Sequence, residues 1–201
     1  MDSKTVRTYD ENAAQFSDTF LAQGTPREIR EIVDRFFIRD GSCIDVGCGS
    51  GRELNWLHLR GFVAVGCDVS EGMVQEARRR FPSLDFFVSS LPLLSEIEDE
   101  RYDNVLCETV IMHLPTSELP LALMNLWRIL KPSGVLSLSW RGSLAENPRE
   151  NDGRLYSPID TEELRRAFVS FGADVLYEAC VKSASSEKVI KQIVLKKRAT
   201  L

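Results

Sequence analysis

The segment Gly47-Cys48-Gly49-Ser50-Gly51 sets three glycines within five residues. It follows the strand-like run SCIDV and keeps a carboxylate two places ahead, at Asp45. Glycines in such a turn let backbone N–H groups approach a ligand, and the helix that follows favours negative charge at its N-terminus. A pyrophosphate site of this kind is spaced G-x-G-x-x-G. Here the spacing is G-x-G-x-G, and Asp45 would repel a diphosphate but suit an ammonium group. Asp68, ending the next apolar run, is placed to accept both hydroxyls of a ribose. The pair describes a nucleoside that carries a cationic amino-acid tail and no phosphate.

The elements needed to hold these residues are legible in the periodicity. "TPREIREIVDRFF" reads as an amphipathic helix with Thr25 as cap, Pro26 at its first position and Glu28 closing a capping box. Strand, turn and helix follow as "SCIDV", the glycines and "RELNWLHLR". "FVAVGC" is a second strand, and "SEGMVQEARRRF" a helix capped by Ser70 and stopped before Pro82. "LDFFV" and "YDNVLCE" are the third and fourth strands. A helix over "TSELPLALMNLWRIL" ends at the turn "KPSG", and "VLSLSW" is the fifth strand. Strands alternating with helices at this rhythm form βαβ units and a parallel sheet covered on both faces.

Two stretches depart from that rhythm. The Gly-, Pro- and Asn-rich run 141–158 is long for a connection, and its chemistry predicts an exposed, mobile lid with Arg141, Arg149, Arg154 and Tyr156 as candidate acceptor contacts. After a helix opened by Asp160 and Glu163 and closed at Gly172, "ADVLYEACV" and "KVIKQIVLKK" are separated only by a short polar segment. Strands so joined must be antiparallel.

The 201 residues suffice for one well-buried domain, and a net charge of −5 implies no broad basic surface for DNA, RNA or an anionic membrane. No apolar run approaches the length of a membrane span and the N-terminus lacks a signal-peptide core, so the cytoplasm is the expected compartment. Five cysteines without a CxxC, and two distant histidines, His58 and His113, predict neither a disulfide framework nor a metal centre.

S-adenosylmethionine fits the ligand that Asp45 and Asp68 describe, and the chain resembles the class I S-adenosylmethionine-dependent methyltransferases over about residues 29–196. "IDVGCGSG" resembles the first motif of that family, "VGCDVSEGM" the second, "FVSSLPL" the third and "YDNVLCETVIMHL" the fourth. "LWRILKPSGVLSLS" is similar to the helix, turn and strand after it. The resemblance implies an α/β fold: a Rossmann-like, doubly wound, seven-stranded and mostly parallel sheet whose terminal hairpin makes only the last strand antiparallel. It implies that Asp45, Gly47 and Gly49 line the methionine end, Asp68 holds the ribose and Val69 packs on adenine. Ser90 and Leu91 would then contact the adenine edge, and Glu108 would face the cofactor. The third motif departs from the family at Ser89-Ser90, where an acidic residue is common.

The implied organisation is a flap, residues 1–24 with Tyr9 able to close over the methionine tail, ahead of a methyltransferase domain, residues 25–201. Methyl transfer is an in-line displacement that needs no metal and no covalent intermediate. A base is required only for a protonated acceptor. His113, after the fourth strand, is the candidate base. A small-molecule acceptor is the main expectation. A protein or RNA methyltransferase, a non-catalytic subunit binding S-adenosylmethionine or S-adenosylhomocysteine, and a nicotinamide-dependent oxidoreductase are the competing readings. The sequence is silent on oligomeric state.

Overall fold

The computed structural model describes residues 1–142, 149–182 and 188–199. Seven strands form one sheet: β1 (Ser42–Val46), β2 (Val63–Asp68), β3 (Asp85–Val88), β4 (Tyr102–Glu108), β5 (Leu130–Arg141), β6 (Ala173–Lys182) and β7 (Val189–Lys197). Their order is β3-β2-β1-β4-β5-β7-β6. Pairs from β3 through β5 are parallel, and β7 runs antiparallel to both β5 and β6. The seven-stranded sheet with a single reversed strand is therefore as expected. The chain winds outward in one direction from β1 and in the other from β4, so the carboxyl ends of these two strands flank a crevice.

Helices cover both faces: α3 (Arg27–Phe36), α4 (Arg52–Leu59), α5 (Glu71–Arg80), α6 (Leu119–Arg128) and α7 (Thr161–Ser170). On the α3 side, Ile29, Ile32 and Val33 pack on Leu106, Val135 and Val194. On the other side Leu126, Trp127 and Phe168 pack against Leu136, Leu138 and Trp140. Between them Val105, Leu106 and Cys107 of β4 are wholly buried, which explains why that strand reads as a continuous apolar run. Among the described residues no helix is long and apolar enough to cross a membrane.

The helix caps are formed in two of three predicted places. Ser70 Oγ accepts from the Met73 N–H at 3.1 Å, and Asp160 accepts from Glu162 and Glu163 at 2.8 and 3.0 Å. Thr25 does not cap α3. The chain is still extended at Pro26 (φ −54°, ψ 144°) and the helix starts at Arg27, so Thr25 lies one residue too far out to reach the free N–H groups of the first turn.

The polar N-terminus forms two helices, α1 (Ser3–Glu11) and α2 (Ala13–Gln23), that break at Asn12. Asp10 ties α1 to α5, accepting from Ser70 Oγ at 2.6 Å and from the Gly72 N–H at 3.0 Å.

The run 141–158 departs from the expected exposed lid. Residues 143–148 lie outside the described set, but 149–157 fold back on themselves through a bridge between Arg149 and Leu155. Leu155, Tyr156 and Ser157 are buried. Ser157 donates from its N–H to Met112 O (2.8 Å) and from Oγ to Leu114 O (2.7 Å), and the Leu155 N–H donates to Thr5 Oγ1 (2.8 Å). Loop-like composition gave way here to the backbone carbonyls of the segment after β4 and to the Thr5 hydroxyl of α1, which this run satisfies.

Candidate functional site

The crevice is built on the turn between β1 and α4. Gly47, Gly49 and Gly51 take φ of +80°, +50° and +76°, a region that side chains disfavour. Gly47 and Cys48 donate their N–H groups to Cys67 O at 2.7 and 3.0 Å, which ties the turn to the end of β2. A Cβ at Gly47 would collide with Val110. A Cβ at Gly49 would meet only Met73 at 3.5 Å and Phe20 at 4.0 Å, so the space above Gly49 belongs to the crevice.

Two adjoining cavities occupy that space. The first is lined by Asp68, Val69, Met73, Ser89, Leu91 and His113, with Thr5, Val6 and Tyr9 of α1 above them. The second, of about 530 Å³, is lined by Glu28, Asp45, Glu53, Ser139, Lys182 and Gln192 among others. Phe20, Gly47, Gly49, Glu108 and Thr109 border both.

Asp68 is held by the backbone it terminates. One carboxylate oxygen accepts from the Gly49 N–H at 3.0 Å and the other from the Ser70 N–H at 2.9 Å. An ionised carboxylate has about four acceptor sites, so two remain for a ligand. Burial pushes its pKa up, opposed by those backbone hydrogen bonds. Asp45 is only 3% exposed, and its Oδ2 has no hydrogen-bond partner among the described residues. Burial first, then the charges of Glu53, Glu108 and Asp68, raise its pKa well above the usual carboxylate range. Glu108 accepts from Ser137 Oγ at 2.9 Å, and burial raises its pKa too. A buried carboxylate without a donor is costly, and a cationic group in the crevice would remove the cost. The residues present thus fit a ligand with an ammonium group beside Asp45 and Glu108 and a diol beside Asp68.

A cover spans the first cavity. His113 is 5% exposed; its Nδ1 lies 2.6 Å from Leu155 O, and its Nε2 lies 3.3 Å from the Tyr9 hydroxyl. A carbonyl oxygen can only accept, so Nδ1 carries the proton and Nε2 accepts from Tyr9. Arg154 Nη1 donates to the same hydroxyl at 3.1 Å. Burial, with a smaller contribution from the Arg154 charge, lowers the His113 pKa to about 4, against the hydrogen bond to Leu155. The imidazole is therefore neutral at pH 7 and engaged at both nitrogens.

The other residues singled out in the sequence fall as follows. Tyr156 packs edge-on to His113 with centroids 4.9 Å apart, under the Arg141 guanidinium at 4.4 Å from its ring centre. Arg149 pairs with Asp2 at 2.9 Å, and Arg154 with Asp152 at 2.7 Å. Ser90 turns its hydroxyl onto Leu91 O at 2.7 Å, whereas Ser89 lines the first cavity and donates to Glu96 at 2.8 Å. Ser139, Gln192 and Glu53 line the second cavity without having been marked by any motif. Strand register brings Ser139 and Gln192 there, Glu108 pairing with Ser139 and Ser139 with Gln192, while Glu53 comes from the first turn of α4.

Residues 43–134 match the family model described as a methyltransferase domain. An uncharacterized methyltransferase-like protein of Schizosaccharomyces pombe is 33% identical over 113 residues, 54% of this chain and 42% of that protein. A protein of Encephalitozoon cuniculi named as a methyltransferase is 29% identical over 188 residues, 88% of this chain and 84% of its own length. Among solved structures, the 1,6-didemethyltoxoflavin-N1-methyltransferase of Burkholderia thailandensis, bound to 1,6-didemethyltoxoflavin and S-adenosylhomocysteine, superposes with a TM-score of 0.74 at 17% identity, covering 96% of this chain and 88% of that one. The chain spans less than half of the fission-yeast relative and most of the microsporidian one. Residues 43–134 of the chain thus match a methyltransferase domain, set in a fold shared with solved S-adenosylmethionine-dependent methyltransferases.

Proposed function

We propose that this protein transfers a methyl group from S-adenosylmethionine to a small-molecule acceptor. The observation that carries the reading is the orphaned, buried Oδ2 of Asp45 beside the glycine turn. A diphosphate could not satisfy it, and the ammonium of a methionine tail would. In this reading Asp68 accepts the ribose hydroxyls, Val69 and Leu91 pack on the adenine, and Ser90 serves as backbone beneath its edge while Ser89 faces it. Gly47 and Gly49 let the tail approach the main chain, and Glu108 shares its charge with Asp45.

The bound cofactor supplies a methyl group already activated by a sulfonium charge. What remains for the chain is to hold the acceptor in line and to keep water out. The second cavity, at about 530 Å³, has the size of a small-molecule site. Residues 1–24 act as a cover on the domain 25–201, pinned through Tyr9 and His113. His113 orients that cover and does not serve as a base, because both its nitrogens are engaged. The free thiols of Cys43, Cys48, Cys67, Cys107 and Cys180 suit the reducing cytoplasm.

Calorimetry tests the cofactor assignment directly. S-adenosylmethionine and S-adenosylhomocysteine bind while NAD and ATP do not. Mass analysis after incubation with methyl-labelled cofactor and a metabolite extract then shows label in a small product. Tight NAD binding with no response to S-adenosylhomocysteine overturns the reading, and label found only in protein or RNA removes the small acceptor.

A further inference from the structure

We propose that the acceptor is an amine, seated in the second cavity with its N–H groups on the row Glu108, Ser139 and Gln192. This rests on the methyl-transfer reading and names the substrate class for it. The row follows from register: Glu108 on β4 lies beside Ser139 on β5, which lies beside Gln192 on β7, all on the face toward α3. Gln192 is 5% exposed, and its amide oxygen has no hydrogen-bond partner among the described residues. A buried carbonyl left without a donor is a standing cost that a ligand N–H removes.

The cofactor tail does not meet that need. Three strand spacings separate β1 from β7 in the sheet, roughly 14 Å at about 4.8 Å each. One ammonium group cannot serve both Asp45 on β1 and Gln192 on β7. The two orphaned oxygens therefore call for two ligands, and Glu108, which borders both cavities, stands where they meet.

Charge narrows the second ligand. Glu28, Asp45, Glu53 and Glu108 line this cavity against Arg52 and Lys182, and the Arg52 guanidinium is already paired with Glu53 at 2.5 Å. A carboxylate, phenolate or phosphate acceptor would enter against that excess of negative charge, whereas an amine is drawn in by it. The amine, drawn in as an ammonium ion, first gives a proton to the Glu108 carboxylate, which frees the nitrogen lone pair. That lone pair forms the N–C bond as the C–S bond breaks with its electrons passing to sulfur, and the alkylated nitrogen leaves with the positive charge the sulfonium gave up.

Matched probes test this on the full-length protein saturated with S-adenosylhomocysteine. By calorimetry, benzylamine binds at least tenfold more tightly than benzoate. Glu108→Gln narrows that preference to under threefold. Gln192→Leu weakens benzylamine about tenfold while S-adenosylhomocysteine affinity and Tm stay at the parent values, which separates loss of the acceptor contact from misfolding. Products formed from a metabolite extract with carbon-13 methyl label show the label bonded to nitrogen by NMR. Benzoate binding as well as benzylamine, neither probe binding, an unchanged preference in both variants, or label on a carboxylate or phenolic oxygen overturns the proposal. Failure of S-adenosylhomocysteine itself to bind overturns the methyl-transfer reading instead, and the benzylamine titration repeated without it still reads the charge preference of the cavity.

Discussion

Lowering the pH from 7 to 5 should weaken the folded protein through His113, and the size of the effect follows from its surroundings. The unfolded imidazole titrates near 6.5 and the native one near 4. Below pH 6.5 the unfolded chain therefore takes up a proton that the native state refuses. The stability contributed by the neutral, buried ring is complete above 6.5, erodes through the window between, and is gone below about 4. At pH 5 the two titration curves differ by about 2 kcal/mol, and at pH 7 by about 0.2 kcal/mol, taking 1.36 kcal/mol per pKa unit. Asp45 and Glu108, whose raised pKa values act in the opposite sense, complicate the parent alone. They are common to a His113→Gln variant, so they cancel in the difference. Urea unfolding of both proteins at pH 7 and pH 5 is the assay. The stability of the parent relative to the variant should fall by about 2 kcal/mol between the two pH values. A difference that stays within 0.5 kcal/mol (roughly the usual additivity error) would mean that the ring is solvated in solution and that the Tyr9–His113–Leu155 bonding is not a feature of the native state.

Three further outcomes follow from the site. In the proposed binding mode Asp68→Ala removes two charge-assisted hydrogen bonds to the ribose and should cost about 3 kcal/mol, roughly a hundredfold in S-adenosylhomocysteine affinity by calorimetry; an affinity within twofold of the parent makes Asp68 a mere fastening for Gly49 and Ser70. Gly47→Ala puts a side chain at φ +80° against Val110 and should cost about 2 kcal/mol in thermal unfolding, with part recovered by Val110→Ala; full recovery would show that the collision, and not the backbone, sets the cost. Hydrogen exchange in α1 and in 149–157 should slow on adding S-adenosylhomocysteine, since both bear on the first cavity, and equal rates with and without ligand would separate the cover from the cofactor.

The parts of this architecture that depend on neighbours in sequence are legible in the residues alone. Alternating apolar runs gave the strands, the absence of room between the last two gave the reversed β7, and the glycine spacing with Asp45 and Asp68 gave the cofactor chemistry. What escaped depends on side chains meeting across long separations. The composition of 149–157 says loop, and only the unmet backbone groups of the segment after β4 and the hydroxyl of Thr5 draw it into the interior. Ser89 and Ser90 are indistinguishable by type, and the turn after β3 decides which faces the cavity. Gln192 and Ser139 carry no motif, because their place beside Glu108 is set by pairing between strands over 30 and 50 residues apart in the chain. Thr25 followed every local rule for a cap and lost to the extended backbone at Pro26.

The clasp between Asp2 and Arg149, reinforced by Thr5 with Leu155 and Tyr9 with Arg154, joins places that are 145 to 150 residues apart. During synthesis α1 is made ahead of the sheet, and although its partners Ser70 and Gly72 follow early, those at Arg149, Arg154 and Leu155 are made only after β5. The clasp must therefore wait until the chain through β5 has been made. α1 is thus made early and clasped late, and the clasp closes over the first cavity. Any extension fused to residue 1 would be carried into that closing step, and a tag placed there will be felt at the cofactor long before it is felt by the core.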